Sequence, residues 1–417
     1  MLADHRRLGR DLDIFDSDPL LGAGLPFWLP AGAAARYEVE SYVRDLEKRA
    51  GYQHVYSPVL GKRELYERSG HWAHFADDMF PAMPVGGGDD ALVLRPSLCP
   101  HHALIFKSRP RSYRDLPLRI AELGSMYRAE RSGVLGGLTR VRAISLNDGH
   151  VFCAPSQAGA EVAEALRLMG QAHAALGLRV SSYRVSLRGA QADGPSAGGD
   201  KAGGGYAGGD SAWDAAGRVL REALEDAGLP YEVAAGEAAF YGPKIDVQIA
   251  DPVGRESTLS TVQLDFHQPA QFGLSFADAA GGRDRPVMVH RSLVGSFERL
   301  FAHLLEAFDG ALPPWYSPVQ VVVLPVAAEQ DAAAAAFARD AIAAGLRAEV
   351  SHDGSLGARI RAAAGRKVPY LAVVGAREAA RGEVALRLRD GRQLAVQPGA
   401  SAVARMRAAV AARAIEV

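Results

Sequence analysis

Apolar positions along the chain change their period several times, and each change marks an element. Residues 34–50, AARYEVESYVRDLEKRA, have helical apolar spacing and stop at Gly51. YQHVYSPVL then reads as a strand closing on Pro58. LRIAELGSMYRAE and TRVRAISLNDGHVFCA are extended segments around the turn RSGVLGG, which predicts a long hairpin. After Pro155 a helix is predicted to about Leu176, and another over about 211–228. KIDVQIADPVGRESTLSTVQLDF predicts a second hairpin around Pro252, Val253 and Gly254. The amphipathic pattern VGSFERLFAHLLEAF predicts a helix behind a strand, VMVH.

GALPPWYSP reads as a linker, and the pattern changes after it. VQVVVLPV is a continuous apolar run, as in a buried strand. An Ala-rich helix, the strand RAEVSH, a helix at about 357–365 and the strand YLAVVG follow. EVALRLRDGRQLAV predicts a hairpin turning on Asp390 and Gly391, and a last helix closes the chain. The fold class expected is α+β: an antiparallel sheet with helices over 1–310, then a small mixed α/β domain over 316–417. The Gly-rich stretch at about 189–210 reads as a flexible surface insertion.

The chain has 417 residues and a net charge of -1, which excludes binding nucleic acid through overall basicity but not through a local basic face. Two cysteines argue against a disulfide scaffold and suit a reducing, cytoplasmic setting. No apolar run suggests a membrane span, and the start does not read as a signal peptide.

The chemistry concentrates in a few segments. In LRPSLCPHHALIF, Cys99 precedes His101 and His102, either as a buried thiol beside a histidine pair or as a metal ligand. YRAERSG places Arg128 and Glu130 where a strand enters a turn, and an arginine there can grip a phosphate or carboxylate. GSFERL puts Arg299 just inside a helix, where helix start and guanidinium both favour anions. Cys99, His150 and His290 each sit beside one of these elements.

In this order the segments resemble the class II aminoacyl-tRNA synthetases, specifically the threonyl-tRNA synthetase family. YSPVL resembles the family's motif 1, YRAERSG…TRVRAISLNDGHVFC its motif 2 and HRSLVGSFERL its motif 3; SGHW, SYRDLPLR, AFYGPKID and VQLDF also match. The resemblance implies ligation of L-threonine to tRNA(Thr) through an ATP-derived adenylate, in a homodimer, with Mg2+ accompanying ATP. It implies one zinc ion per chain held by Cys99, His150 and His290, with His101 and His102 structural or behind the ligands and Cys153 in the core. Threonine would chelate that zinc through amino group and hydroxyl; valine lacks the hydroxyl.

The other roles are carried over by motif. Arg128 bridges amino acid and α-phosphate, Glu130 lies near adenine, and Arg140, Lys244 and Arg299 bind phosphates. Asp148 accepts from the substrate hydroxyl, and Tyr241, Gln263 and Ser296 line its pocket. His71 of SGHW assists deprotonation of the terminal ribose of tRNA. The second domain resembles the family's anticodon-binding domain, with Glu378 and Arg387 at base-reading positions.

Several positions depart from the family pattern. Leu146 replaces a polar pocket residue, Ile144 an aromatic that stacks on adenine, and Gln268 a leucine. Ser97 and Leu98 stand where Met and Asn are usual. The chain is expected to start at the catalytic domain, without the family's ubiquitin-like module and editing domain. These departures suit a diverged copy that is inhibitor-insensitive or serves specialised metabolism, or that activates serine or another β-hydroxy amino acid. A non-catalytic tRNA-binding paralogue is the remaining alternative.

Overall fold

The computed structural model describes residues 3–85, 91–189, 206 and 209–417. Most of the Gly-rich stretch expected as an insertion at about 189–210 lies outside the described residues. An eight-stranded sheet organises the first part. Its order is Tyr231–Ala235, Val180–Leu187, Lys244–Ala250, Glu256–Asp265, Val287–Ser292, Ala143–Cys153, Leu118–Tyr127, Gln53–His54. The six inner strands pair antiparallel, and each edge strand adds in parallel.

Both predicted hairpins are present. Leu118 lies opposite Phe152 at one end of the first and Tyr127 opposite Ala143 at the other. The second turns through Gly254 (φ 83°), with Asp251 Oδ1 accepting from the backbone N–H of Val253 and Arg255. The strand expected over YQHVYSPVL is broken in two: Gln53–His54 pairs with Ile120 and Ala121, and Leu60 opens a separate strand, Leu60–Lys62, opposite Leu94. Between them, the carbonyls of Ser57 and Pro58 accept from the Arg95 guanidinium, so they are not available to a ladder.

Behind the sheet lie four helices, Pro30–Arg49, Ala158–Leu176, Asp210–Asp226 and Phe297–Ala307. Val151, Val289, Val262 and Ile245 pack into one core with them. The first begins at Pro30, whose missing N–H costs nothing in a first helical turn. Phe297–Ala307 buries eight of its 11 residues, more than its amphipathic pattern implied. A short helix, His5–Asp11, covers its outer side, and His5 Nδ1 lies 2.7 Å from Glu306 Oε1.

The second part is a five-stranded mixed sheet ordered Ala348–Val350, Val321–Pro325, Tyr370–Val374, Glu383–Leu388, Gln397–Pro398. The first three are parallel and the rest antiparallel, around a separate core. The hairpin predicted at Asp390-Gly391 has a weak return limb, an isolated bridge from Arg387 to Gln393. Helix Ala376–Arg381 was not anticipated. Arg347 ties the two parts: its guanidinium pairs with Glu38 (2.6 Å) and donates to the carbonyls of Trp315 and Ser317. Among the described residues no helix is long and apolar enough to cross a membrane.

Candidate active site

Residues directly opposite one another in paired strands share a face, and strand neighbours face opposite ways. Pairing therefore draws one row across the front of the sheet. Ile120 is opposite His150, His150 opposite His290, His290 opposite Gln263, and Gln263 opposite Lys244. One row further on, Glu122 is opposite Asp148. Cys99 opens helix Cys99–Lys107, whose Ala103 and Phe106 pack on Ile120, Phe152 and Met288 of the same face. That packing brings the thiol to the histidines. Cys99, His150 and His290 are buried, and their donor atoms lie within 4.8 Å of one another.

The hydrogen bonds fix which nitrogens face inward. Glu122, as a carboxylate, only accepts, so His102 Nε2–H donates to it (3.2 Å). His102 Nδ1 then accepts from His150 Nδ1–H (2.7 Å), leaving His150 Nε2 as the inward atom. On the other ring His290 Nε2–H donates to Asp265 Oδ2 (2.9 Å), leaving Nδ1 inward. The two inward nitrogens are 3.0 Å apart. Histidines backed by carboxylates in this way are typical of metal sites.

Charge supports the same reading. Burial alone would raise the Cys99 thiol, but His71 and His290 beside it bring it down to about 5. Burial disfavours charge on His290, yet Asp265 and Cys99 push it up to about 10. Burial, then His290 and His102, hold His150 well below its ordinary range. These directions favour a thiolate beside a neutral imidazole, with one proton between the two inward nitrogens. A divalent cation can replace that proton, and a sulfur and two imidazoles suit zinc, so the residues fit the ion. The other acidic-histidine cluster, Asp4, His5 and Glu306, is a staple: His5 Nε2 accepts from the Leu138 N–H (3.2 Å) while Nδ1 is held by Glu306.

Sequence reasoning missed Glu122, Asp265 and Arg95. Glu122 is held by Ser57 Oγ (2.6 Å) and Arg95 Nη2 (3.0 Å) as well as His102. Burial would raise its pKa, but His102, Ser57 and Arg95 lower it to about 2. The pairing of Glu122 with Asp148 across two strands was the only available signal, and it required the register.

Further predicted residues lie on the same sheet or on segments packed beside it. Asp148 Oδ1 is 3.9 Å from His150 Nε2, and burial with the Cys99 charge pushes its carboxyl up to about 7. Tyr241 stacks on His290 (4.8 Å) and donates through its hydroxyl to Gln263 Oε1. Lys244 pairs with Asp246 (3.1 Å). Ser296 caps helix Phe297–Ala307 and bridges to Leu146, an apolar neighbour in the row beyond Asp148. His71 Nε2 lies 3.6 Å from Cys99 Sγ, and its Nδ1 meets Ser69 Oγ at 2.8 Å. Because that hydroxyl also reaches the Tyr66 carbonyl (3.2 Å), it accepts from His71 Nδ1–H, which leaves Nε2 facing the site.

Arg128 follows the strand end at Tyr127, and its N–H donates to the Arg142 carbonyl. Glu130 pairs with Arg140 (2.8 Å). Arg299 reaches the carbonyl of Thr258 on strand Glu256–Asp265 (3.0 Å). Ile144 is half-buried opposite Met126. His101 packs beside Tyr66, and Cys153 lies in the core, its thiol pushed up to about 12 by burial. In the second part, Glu378 accepts from the Gly375 N–H (3.1 Å) and so caps its own helix, while Arg387 sits on strand Glu383–Leu388 opposite Leu371.

Residues 86–308, more than half of the chain, match the family described as tRNA synthetase class II core domain (G, H, P, S and T), and residues 320–407 match an anticodon binding domain. A threonine--tRNA ligase of Levilactobacillus brevis is 46% identical over 386 residues, 92% of this chain and 58% of the relative. One from Halalkalibacterium halodurans is 46% identical over 90% of this chain and 57% of its own length. The chain thus spans somewhat over half the length of these curated relatives. A crystal structure described as the RNA binding domain of threonyl-tRNA synthetase from Cryptosporidium parvum superposes with a TM-score of 0.89 at 32% identity, covering 97% of this chain and 98% of that one. A Giardia lamblia prolyl-tRNA synthetase shares the fold (TM-score 0.74, 17% identity, 100% of this chain and 82% of that one). On these grounds the chain belongs to the class II tRNA synthetase core family, with an anticodon-binding domain after the core.

Proposed function

We propose that this chain is a threonine--tRNA ligase: the carboxylate of L-threonine attacks the α-phosphate of ATP and expels pyrophosphate, and the resulting adenylate passes its threonyl group to the terminal ribose of tRNA(Thr) and releases AMP. The observation that carries the reading is the convergence of Cys99, His150 and His290 on the sheet face that also bears Asp148 and Tyr241. Zinc held by these three would supply two-point recognition of an amino group and a β-hydroxyl. Asp148 accepts from that hydroxyl, and Tyr241 with Gln263 and Ser296 closes the pocket. Arg128 orients the carboxylate against the α-phosphate and steadies the charge that develops as they react. Arg140, Lys244 and Arg299 hold the phosphates with Mg2+, Glu130 lies by the adenine, and His71 takes the ribose proton during transfer. Residues 1–310 form the catalytic domain of a cytoplasmic homodimer, and 316–417 bind the anticodon through Glu378 and Arg387.

A panel of amino acids in ATP–pyrophosphate exchange tests this. Threonine is expected to give the fastest exchange. Serine, lacking one methyl, should lose about 1–3 kcal/mol, and valine should be nearly inert because it leaves the hydroxyl-reading groups unpaired. A second reading, activation of serine or another β-hydroxy amino acid by a diverged copy, draws on Leu146 and Gln268, which change the polarity of the pocket wall. Faster exchange with such an amino acid than with threonine would select it. Exchange with no amino acid, alongside retained tRNA binding, would leave a non-catalytic paralogue.

A further inference from the structure

The Cys99 sulfur has partners beyond the other two ligand side chains. Gln268 is fully buried, and its Nε2 donates to Cys99 Sγ at 3.4 Å. Ser97 Oγ lies 2.9 Å from the same sulfur. Gln268 Oε1 has no hydrogen-bond partner among the described residues. An apolar side chain would fill the same volume without stranding a carbonyl, so the carboxamide's contribution lies at its N–H end. The backbone carrying it is fixed by Asp265, whose Oδ1 accepts from the N–H of His267 (2.7 Å) and Gln268 (2.9 Å). The other oxygen of that carboxylate holds His290. One side chain therefore sets both the ring of His290 and the base from which Gln268 reaches Cys99.

We propose that Gln268, assisted by Ser97, is a positioning residue for Cys99: the two donate to its thiolate and draw charge off the sulfur. A metal held there would receive less charge from sulfur and would be a stronger acceptor for the amino group and hydroxyl of the amino acid. The proposal rests on the zinc reading above. It also shields the thiolate, since a lone pair engaged by N–H and O–H attacks electrophiles less readily.

Cobalt(II) in place of zinc gives a readout separate from activity, because the sulfur-to-cobalt charge-transfer band reports the energy of the sulfur lone pair. Gln268→Met keeps the volume and removes the donor, and Ser97→Ala removes the hydroxyl. Each variant should retain cobalt and move the band to longer wavelength, with the larger shift in the double variant. Iodoacetamide should alkylate Cys99 faster in each, and KM for threonine in exchange should rise more than kcat falls. Bands that coincide with the wild-type band in cobalt-loaded variants would overturn the proposal while leaving the metal reading standing. Shifted bands with an unchanged KM would overturn its substrate half. Wild-type protein with no thiolate–cobalt band would overturn both readings. Should Gln268→Met fail to fold, Ser97→Ala at its half-buried position decides by the same criteria.

Discussion

Glu122→Gln separates the support of the proposed zinc centre from the centre itself. The wild-type carboxylate is buried and accepts from Ser57, Arg95 and His102. Its pKa falls from the ordinary 4.5 to about 2. A carboxyl lowered in the folded state contributes stability above its unfolded pKa, and this is lost as pH falls through the folded one. The contribution is about 3 kcal/mol, at roughly 1.4 kcal/mol for each pH unit, and it fades between about pH 4.5 and pH 2. Mutation gives a similar figure by another route. Neutralising Glu122 leaves the buried Arg95 guanidinium uncompensated, which costs about 3–5 kcal/mol. Urea unfolding at pH 7 should therefore show Glu122→Gln less stable by about 3 kcal/mol, with the difference shrinking below pH 4.5. His102 also loses the charge that fixes its tautomer, so zinc affinity in a chelator competition should drop by about 10–100-fold. A stability loss under about 1 kcal/mol, within the range of an exposed pair, would refute the account of this network.

Cys99→Ala should lose bound metal and amino acid activation together, measured by metal content and pyrophosphate exchange; full exchange without metal would remove the zinc assignment. Gly149→Ala should lower stability by about 1–3 kcal/mol in thermal unfolding. A Cβ there would sit 2.3 Å from Arg291 Cζ, and that guanidinium is held by Glu47; an unchanged Tm would mean that Arg291 can move aside. His71→Ala should slow transfer to tRNA at least tenfold more than it slows exchange, within the roughly 10²–10⁴-fold span of acid–base catalysis. Equal effects in single-turnover assays of the two steps would make His71 a packing residue of the SGHW turn.

Elements with a strong period were legible. Both hairpins, the 34–50 and 158–176 helices and the change of class after Pro318 follow from apolar spacing and turn residues. The short strand at Gln53–His54 was not, because Arg95, distant in sequence, takes the carbonyls that would have extended it. Return residues 392–396 keep a strand-like pattern, yet make only an isolated bridge before pairing resumes at Gln397–Pro398. In the site, Cys99, His150 and His290 could be named as candidate donors through the family resemblance, because each lies in a segment that carries it; the residues alone left Cys99 open between a buried thiol and a ligand. Glu122 and Asp265 were not, since each acts on a ring brought to it only by strand pairing or by a turn. His102 stood in plain view near Cys99, but only the packing of its helix on the sheet shows that it faces His150.

The back of the sheet explains why that register holds. His290 faces the donors in front, so its neighbour Arg291 must face the helices behind. There Arg291 is fully buried, lies over Tyr52 (4.2 Å) and pairs with Glu47 of helix Pro30–Arg49 at 2.7 Å. Asn147 donates to Glu47 from the adjacent strand (2.8 Å), and its Oδ1 accepts from the Leu293 N–H (2.9 Å). Gly149 leaves open the space that the guanidinium fills. A slip of one residue in strand Val287–Ser292 would turn His290 into the helices and push Arg291 to the front, stranding a buried charge on each side. Breaking a buried pair costs about 3–5 kcal/mol, far more than the apolar contacts of one strand position distinguish. A hydrophobic replacement of comparable volume could give similar stability, so the value of the pair lies in which alternatives it excludes. The charge network behind the sheet and the two histidine donors in front are therefore two faces of one register, so His150 and His290 depend on residues buried behind the sheet.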